Sequence, residues 1–369
     1  MSGGPLVIIG DALLDIDIHG TISRVTPDGQ APVVDGDEHR ERPGGAGLAA
    51  LLAAAPGDHE VVLITGLGDD EAGERVAAML DGLVSVVRLP LDGGTPEKAR
   101  VMTGDTLLVR LDRGRGRVPP GADLPPRARL ALADAEAVLV ADYGRGMSGH
   151  PEISDLLAEL AGRIPVAWDP HPRGGRPLPG VRLVTPNEAE ALAFAPPSPP
   201  GAREARGDRT AAAAGDGRAG GDGSAAAVGD TSARGDGSAA AVVDTSARGD
   251  GSAAAAGDGR AGGDGSAAAR RAAHLVRAWG VSGVAVTLGD RGAVLATGSR
   301  PPVMVPAPQV SAPDTCGAGD SFAVAVTRAL AGGLPLADVV SHGVHAASSF
   351  VAAGAASSIR ARWENAHAR

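Results

Sequence analysis

The string Asp314-Thr-Cys-Gly-Ala-Gly-Asp-Ser-Phe322 leads directly into an apolar helical run and holds the residue types best suited to chemistry. Gly317, Ala318 and Gly319 stand where that helix would begin, and backbone N–H groups at a helix start attract anions. Asp320 follows in the first turn, where its carboxylate would repel a bound phosphate but could take a proton from an attacking hydroxyl. The string therefore predicts phosphoryl transfer to an alcohol. The alternative role for Asp320 is a helix N-cap.

Two acidic residues follow the first apolar run of the chain. Asp11 and Asp15 come after Leu6–Gly10, which is typical of a buried parallel strand. Open α/β sheets bind ligands at the carboxyl ends of their strands, so these carboxylates are candidates for contact with a substrate. Gly44 and Gly45 precede a predicted helix, and glycine lets a backbone approach a ligand closely. Ordinary turns are the alternative for all four residues.

Two polar motifs lie further along the chain. Asn187 and Glu190 follow the apolar run 181–185 and are spaced to lie on one face of a helix. The segment Thr287-Leu-Gly-Asp-Arg-Gly292 follows another apolar run and predicts a tight turn through Gly289. Alone, these motifs are also typical of a common helix start and of a hairpin turn.

One basic residue differs from the others. Of the 34 lysine and arginine residues, Lys98 is the only lysine. A compact ammonium group binds phosphate as a point charge. The alternative is a solvated lysine on an edge strand, where it discourages aggregation.

Composition excludes several classes of protein. The 369 residues carry a net charge of −10 and 2% aromatic residues, which argues against a nucleic-acid binder. The single cysteine, Cys316, excludes an intrachain disulfide and a cysteine-rich zinc site. No apolar run approaches the ~20 residues of a membrane span, and the start lacks a signal-peptide pattern. We expect a soluble, cytoplasmic protein without nucleic-acid or membrane partners.

A low-complexity segment interrupts the chain. Residues 215–270 form four 14-residue repeats of the type GDxxAxGDGSAAAx. These small and polar residues cannot bury enough apolar surface to offset the entropy of ordering. We predict a disordered insertion over 196–268, with 1–195 and 269–369 together forming one domain. A tether for a partner and a calcium-binding repeat are the alternatives, although the repeats lack the apolar position of a β-roll.

Apolar runs and helical patterns alternate outside the insertion, which indicates a parallel sheet covered by helices on both faces. The strands are expected at 6–10, 61–65, 137–141, 165–168, 181–185, 283–288 and 293–296, and the helices at 46–55, 71–80, 153–161, from 187, 269–279, 318–331 and 336–353. Segments 16–41 and 98–118 show short alternating stretches instead. They predict antiparallel strands outside the main sheet, placed as a small lid.

The string that contains Asp320 resembles the C-terminal signature of the ribokinase-like, PfkB-type carbohydrate kinases, and the resemblance covers the chain outside the insertion. Within it, SRVTP and APVV, Lys98–Val101, Val109–Asp112 and Ala141–Gly146 are most similar to heptose-7-phosphate kinases, which phosphorylate the anomeric hydroxyl of D-glycero-D-manno-heptose 7-phosphate. The resemblance implies an α/β fold with a ribokinase-like three-layer α/β/α core and a small β-lid.

The resemblance also implies a role for each candidate residue. Asp320 would be the general base beside an anion hole, and Mg²⁺ would be organised through water. The sets are Gly317, Ala318 and Gly319 for the anion hole; Asp11, Asp15, Gly44 and Gly45 for the sugar; Lys98 and Arg100 for the 7-phosphate; Asn187 and Glu190 for Mg²⁺ and the phosphates; Thr287, Gly289 and Gly292 for ATP; and Asp314, Gly354 and Ser358 for a candidate monovalent cation such as K⁺.

The sequence departs from the family pattern at three points. Leu48 occupies the position where the family usually has an asparagine, and His171 stands where heptose kinases tend to have a lysine. Both changes concern the choice of substrate. The HxGH motif of a fused nucleotidyltransferase does not occur, so we expect the kinase step alone.

The sequence as a whole predicts an ATP-dependent sugar kinase whose substrate is heptose 7-phosphate, with a homodimer through the lid as the candidate assembly. Two alternatives stay open. A kinase of this fold for ribose, fructose or a nucleoside would share the same phosphoryl-transfer residues. A catalytically silent sugar-binding protein would retain the fold without turnover.

Overall fold

The computed structural model describes residues 3–55, 59–104, 106–195, 265–312 and 314–359, without the side chains of Asp37 and Ser358. The predicted insertion lies outside this range except for residues 265–268. The strands within the range are β1 (Leu6–Gly10), β2 (Ala12–Val25), β3 (Pro32–Gly45), β4 (Val61–Gly66), β5 (Ser85–Leu89), β6 (Glu97–Thr103), β7 (Thr106–Arg113), β8 (Ala137–Ala141), β9 (Val166–Asp169), β10 (Leu183–Val184), β11 (Gly283–Thr287), β12 (Ala293–Thr297) and β13 (Val303–Val305).

Helices connect most of these strands. They are α1 (Ala46–Ala54), α2 (Glu71–Leu80), α3 (Pro126–Ala133), α4 (Pro151–Leu160), α5 (Glu188–Phe194), α6 (Gly265–Trp279), α7 (Ala318–Ala331) and α8 (Leu336–Ala352), with short 3-10 turns at Gly289–Arg291 and Ala355–Ser358. The predicted strand-helix alternation is therefore present.

The larger sheet has the strand order β13-β12-β11-β10-β9-β8-β1-β4-β5 in the described part of the chain. From β11 to β5 all neighbours are parallel, whereas β12 and β13 add antiparallel strands at one edge. The chain moves outward from β1 in both directions, through β4 on one side and β8 on the other. The carboxyl ends of β1 and β8 therefore meet at a switch point, where such sheets bind ligands.

Helices cover both faces of this sheet. Side chains alternate along each strand, so Val7 and Ile9 pack with α3, α4, α5 and α6 on one face. Leu6 and Ile8 pack with α1, α2, α7 and α8 on the other. This arrangement confirms the predicted three-layer α/β/α core.

The lid is a four-stranded sheet with the order β3-β2-β6-β7. The pairs β2–β3 and β6–β7 are antiparallel, as predicted, but β2 and β6 run parallel. Parallel neighbours need a long crossover connection, and here the chain passes through α1, β4, α2 and β5 between them. The strands are also longer than the alternating stretches indicate, since β2 begins at Ala12.

Helix α6 begins earlier than predicted. Residues 265–268 were assigned to the insertion because they repeat the GDGSAAA unit, but they form the first turn of α6. In this copy alone the unit continues into an apolar face, formed by Ala268, Ala272, Leu275, Val276 and Trp279. That face packs on the core, so the helix extends back over its first turn.

Strands β5 and β13 and helix α3 were not predicted from the sequence, and β10 is shorter than the apolar run 181–185. In the described ranges, no helix combines the length and apolar character needed to cross a membrane.

Candidate active site

The carboxyl ends of neighbouring parallel strands bring the predicted polar residues to one edge of the sheet. Asp11 follows β1, Tyr143 follows β8, and Asp169 ends β9. Asn187 follows β10 and forms a parallel bridge with Thr287 at the end of β11. Residues far apart in the sequence are thus gathered opposite the N-terminus of α7.

Asp320 is the third residue of α7, and its side chain points into this edge. It is 7% exposed, and its Oδ1 accepts a hydrogen bond of 2.6 Å from the hydroxyl of Tyr143. The N-cap of α7 is Gly317, without a side-chain capping bond, so Asp320 is not the N-cap. Burial raises the pKa of Asp320 to about 7, although the Tyr143 hydrogen bond acts to lower it.

The glycines before Asp320 shape the start of α7. Gly317 has φ +82°, and a Cβ there would lie 2.8 Å from the Leu48 side chain. A Cβ on Gly319 would meet nothing within 4 Å, so the backbone faces open space there. The N–H of Ala318, by contrast, donates to the carbonyl of Thr315 at 3.1 Å. The N–H of Ala318 is therefore already engaged within its own turn, and the anion hole of Gly317, Ala318 and Gly319 stays a prediction.

Asp11 fixes the loop that carries Tyr143. Its Oδ2 accepts backbone N–H bonds from Tyr143 at 3.0 Å and Arg145 at 2.9 Å, and its Oδ1 accepts one from Met147 at 3.3 Å. The carboxylate is buried. Asp11 thus shapes the site from beneath, and its contact with substrate stays a prediction.

Asp15 lies on β2 with Lys98 and Arg42 as its register neighbours on β6 and β3. Nη2 of Arg42 is 3.6 Å from Oδ2 of Asp15. Gly44 packs directly against this carboxylate, since a Cβ there would lie 2.6 Å from Oδ2 of Asp15. Asp15 is therefore held in the lid wall of the site, not in a solvent-facing turn.

Lys98 occupies an inner strand of the lid, so the edge-strand alternative is wrong for it. Strand β6 has β2 on one side and β7 on the other. The side chain is 8% exposed, and its Nζ lies 5.5 Å from the centre of the Tyr143 ring. An ammonium over an aromatic face is attracted by the ring quadrupole.

Asp17, Arg42 and Arg100 form an ion cluster that sequence reasoning did not find as a group. Asp17 is buried, pairs with Arg42, and accepts bonds from Nε and Nη2 of Arg100 at 2.8 Å and 3.1 Å. Nη2 of Arg42 also lies 3.7 Å from Sγ of Cys316. The sequence signal for this cluster is the alternation of side chains along β2, which places Asp15 and Asp17 on the same face of the strand.

Asn187 and Glu190 form a reciprocal cap at the start of α5. The N–H of Glu190 donates to the Asn187 side chain at 2.9 Å, and the N–H of Asn187 donates to Oε2 of Glu190 at 2.8 Å. Burial raises the pKa of Glu190 to about 7, and burial likewise raises that of Asp142 to about 7. Burial and the charges of Glu190 and Asp320 raise the pKa of Asp169 well above its ordinary value.

Asp142 and Asp320 are buried, and Asp169 and Glu190 are partly buried, so a divalent cation would stabilise this acidic region. Across the described residues, no three His, Cys, Asp or Glu side chains have the arrangement of a protein-only metal site. Mg²⁺ usually keeps several waters and binds through one or two carboxylates together with substrate phosphates. The residues around Glu190 therefore fit Mg²⁺ that arrives with a nucleotide.

The turn after β11 lies beside the Asn187 cap. The N–H of Thr287 donates to the carbonyl of Pro186 at 2.9 Å, and Arg291 pairs with Glu188 at 2.6 Å. Gly289 and Gly292 both have positive φ. Residues 287–292 thus form a hairpin turn, which was the alternative for this motif. Contact of the same turn with ATP stays a prediction.

Asp314 and the segment around Gly354 are brought together. Oδ1 of Asp314 accepts the N–H of Cys316, and Oδ2 accepts the hydroxyl of Ser357, both at 2.9 Å. The neighbouring Ser358 has a side chain outside the described part of the structure. The role of Asp314, Gly354 and Ser358 in binding a monovalent cation stays a prediction.

The two departures from the family pattern have different surroundings. Leu48 is 1% exposed and packs with Cys316 and Phe350 beneath Gly317. It supports the start of α7. His171 is buried beside the Tyr143 loop, and its Nδ1 accepts the N–H of Arg173 at 3.1 Å.

Comparison with known proteins finds several that are similar to this chain in sequence. Residues 256–361 match the family model described as pfkB family carbohydrate kinase. The bifunctional protein HldE of Streptomyces coelicolor is 43% identical over 356 residues, which cover 96% of this chain and 62% of that protein. HldE of Halorhodospira halophila is 38% identical over 213 residues, covering 56% of this chain and 44% of that protein. The chain thus spans less than two thirds of these relatives.

Solved structures share the fold at low sequence identity. A ribokinase from Thermotoga maritima has a TM-score of 0.59 at 19% identity, covering 99% of both chains. Arabidopsis thaliana ribokinase, complexed with ribose and ATP, has a TM-score of 0.57 at 18% identity, covering 98% of this chain and 99% of the other. The signature string lies within the residues that match the family model, and the sheet topology together with these solved structures shows a ribokinase-like fold.

Proposed function

We propose that this protein is an ATP-dependent sugar kinase with Asp320 as its general base. The observation that carries the proposal is the buried Asp320 carboxylate, which lies in the first turn of α7 and faces the carboxyl ends of β1, β8 and β9. A pKa of about 7 leaves much of this carboxylate ionised near neutral pH, where it can accept a proton.

Phosphoryl transfer needs an acceptor oxygen and a site for the developing negative charge. Oδ1 of Asp320 is held by Tyr143, so Oδ2 is the oxygen that takes the proton of the sugar hydroxyl. Amides of Gly317 and Gly319 at the start of α7 stabilise charge on the transferred group. Mg²⁺, when bound near Asn187 and Glu190, neutralises charge on the ATP phosphates.

The lid supplies the other wall of the site. Asp15 and Lys98 lie on its inner face, next to Tyr143. A closed lid excludes water, which otherwise competes with the sugar as phosphoryl acceptor. A kinase of this kind uses ATP from the cytoplasm, where we place the protein.

For the sugar we propose heptose 7-phosphate. A sugar that already carries a phosphate needs cations away from the ATP site, and Lys98, Arg100 and Arg42 provide them on the lid. The relatives named HldE and the motifs of the lid support this substrate. An unphosphorylated sugar, the substrate of a ribokinase-type activity, offers no anionic group for these cations to bind.

The variant Asp320→Asn tests the catalytic assignment. Turnover should fall by about three orders of magnitude or more, the range expected when proton transfer is lost, while binding of a fluorescent ATP analogue stays near wild type. Asp338→Asn is the matched control, since Asp338 occupies the same position in the first turn of α8 but is exposed. Retained turnover in Asp320→Asn would remove Asp320 as the base.

A panel of acceptors tests the substrate. Release of ADP should be fastest with heptose 7-phosphate and at least tenfold slower with the unphosphorylated heptose, ribose or fructose. In Lys98→Met, the KM for heptose 7-phosphate should rise while the KM for ATP stays unchanged. Stabilisation by a sugar without any turnover would instead support the silent binding protein.

The lid also supports a dimer, and we propose a second copy of this chain as its partner. One lid face is apolar, and its outer part exposes Ile22, Val25, Val109 and Leu111 by 40–56%. Strand β7 forms the sheet edge there, so two lids can pack face to face. Light scattering should give a dimer at micromolar concentration that Val109→Asp dissociates and Leu107→Asp, on the opposite face of β7, does not. A monomeric wild-type chain would refute this assembly.

A further inference from the structure

Tyr143 touches two residues of the site from different elements. Its hydroxyl lies 2.6 Å from Oδ1 of Asp320 on α7, and its ring lies beneath the Nζ of Lys98 on β6, 5.5 Å from the ring centre. Its own loop is fixed by the three backbone bonds that Asp11 accepts. Tyr143 therefore has a rigid base and contacts both the general base and the lid.

We propose that Tyr143 is a positioning residue that orients the general base and connects it to the lid. The inference rests on the proposed function of Asp320. The hydroxyl holds Oδ1 of Asp320 and so directs Oδ2 toward the acceptor hydroxyl. The ring face supports Lys98, so the lid strand and the base are aligned by one side chain.

The electrostatic surroundings favour this arrangement. Charged groups face Asp320 from three elements besides the Tyr143 loop: Asp15 on β2, Lys98 on β6 and Asp169 on β9. Burial and the charge of Asp320 raise the pKa of Tyr143 well above its ordinary value, so the hydroxyl keeps its proton and remains a donor. A donor to the ionised carboxylate lowers the pKa of Asp320 and opposes the effect of burial.

The variant Tyr143→Phe removes the hydroxyl and keeps the ring. The acid limb of the pH profile of kcat should move up by about one pH unit, since the carboxylate loses a charge-assisted hydrogen bond. Activity should recover toward wild type at higher pH. A merely structural loss would lower kcat equally at every pH, and an unchanged limb in a folded variant would overturn the proposal.

A spectroscopic test needs no turnover. Tyr143 is the single tyrosine of the chain, so tyrosine labelled with ¹³C at Cζ gives one NMR signal. That signal should titrate with a midpoint near pH 7, the pKa of Asp320, and the titration should vanish in Asp320→Asn. A signal that ignores pH, or titrates equally in Asp320→Asn, would refute the hydrogen bond to the base.

The ring contact is tested separately. Tyr143→Phe should leave the KM for the sugar near wild type, because Lys98 retains an aromatic face. Tyr143→Leu should raise that KM about threefold or more, the loss expected for a partly buried cation–π contact. Equal KM values in the two variants would refute the link to the lid. If Asp320→Asn remains active, the proposed function fails; if only the Tyr143 variants behave as wild type, this inference alone fails.

Discussion

Nε of Arg100 lies 2.8 Å from Oδ1 of Asp17, although the two residues belong to different lid strands and are 83 positions apart. Arg42 pairs with the same carboxylate from the third strand. Asp17 thus joins β2, β3 and β6 through two guanidinium groups. The charge of Arg100 is partly neutralised within the lid, so its strength as a phosphate ligand depends on Asp17.

Asp17→Asn should destabilise the protein and alter the phosphate site. Removal of this charge leaves Arg42 and Arg100 to the more distant carboxylates of Asp15 and Asp314, 3.6 Å and 3.9 Å away, and we expect a loss of about 3 kcal/mol in the free energy of unfolding. Urea denaturation measures this loss. Asp35→Asn removes an exposed lid carboxylate paired with Arg24 and should cost less than about 1 kcal/mol. Equal losses in the two variants would contradict the buried cluster.

The same variant should change the stability at low pH. Burial acts to raise the pKa of Asp17, but the charges and hydrogen bonds of Arg42 and Arg100 outweigh burial and hold it below its ordinary value of 3.8. The stabilisation is therefore complete above that value and disappears as the pH falls through the lower pKa of the folded state. The difference in stability between wild type and Asp17→Asn should therefore shrink as the pH falls below 3.8; a difference that does not change with pH in that range would contradict the ion pairs.

Glu190→Gln separates the capping and metal roles of Glu190. The amide oxygen of glutamine can still accept the Asn187 N–H, so the melting temperature should not fall. Loss of the charge should raise the Mg²⁺ concentration needed for half-maximal activity about tenfold or more. Glu188→Gln, on the exposed side of α5, should leave it unchanged. An unaltered Mg²⁺ requirement in Glu190→Gln would leave Glu190 as a helix cap only.

Gly45→Ala should disturb the junction between the lid and the core. Gly45 has φ +57°, and a Cβ there would lie 2.5 Å from the carbonyl oxygen of Asp11 and 3.3 Å from the Tyr143 ring. We expect a loss of at least about 2 kcal/mol in unfolding free energy together with lower kcat. Gly82→Ala is the control, since Gly82 has φ +72° and open space around its Cβ position, so only the conformational cost of about 1 kcal/mol applies. Similar losses would show that the close approach at Gly45 does not matter.

The sequence was sufficient to predict the central layers of this fold. Apolar runs such as 6–10 and 137–141 have no polar face, which marks strands buried on both sides. The boundaries of α2 and α7 agree with the expectation because Asp70 caps one helix and Gly317 begins the other. Asp320 could be singled out because the whole string 314–322 resembles the signature of the ribokinase-like kinases, whereas Asp at a helix start is by itself also typical of an N-cap.

Other parts of the site depend on tertiary contacts that no local pattern records. In the sequence, Tyr143 stands out only as a member of Ala141–Gly146, a segment that resembles heptose-7-phosphate kinases. Its contact with Asp320 forms only because the end of β8 lies next to the start of α7 in the fold. The parallel pairing of β2 with β6 depends on the crossover between them. The position of Asp11 after β1 predicts contact with substrate, which stays a prediction, but no local pattern showed that its oxygens accept the N–H groups of the Tyr143 loop.

The contact between two aromatic rings sets the minimum number of residues needed to connect α5 with α6. The rings of Phe194 and Trp279 pack edge to face with centroids 5.2 Å apart, so the end of α5 lies near the end of α6. Gly265, at the other end of this 15-residue helix, is about 21 Å away along the axis. An extended chain covers about 3.3 Å per residue, so at least about seven residues are required.

Deletion of 206–258 should therefore leave kinase turnover and melting temperature unchanged, because the remaining residues can span this distance. Deletion of 206–268 also removes the first turn of α6 with its buried Ala268, and should cost on the order of 1 kcal/mol in unfolding free energy. Thermal melts and the ADP-release assay measure both variants. Loss of turnover in a folded 206–258 deletion would show that the repeats act in catalysis or as a tether. Identical melting of the two variants would show that residues 265–268 add nothing to α6, since only the longer deletion removes them.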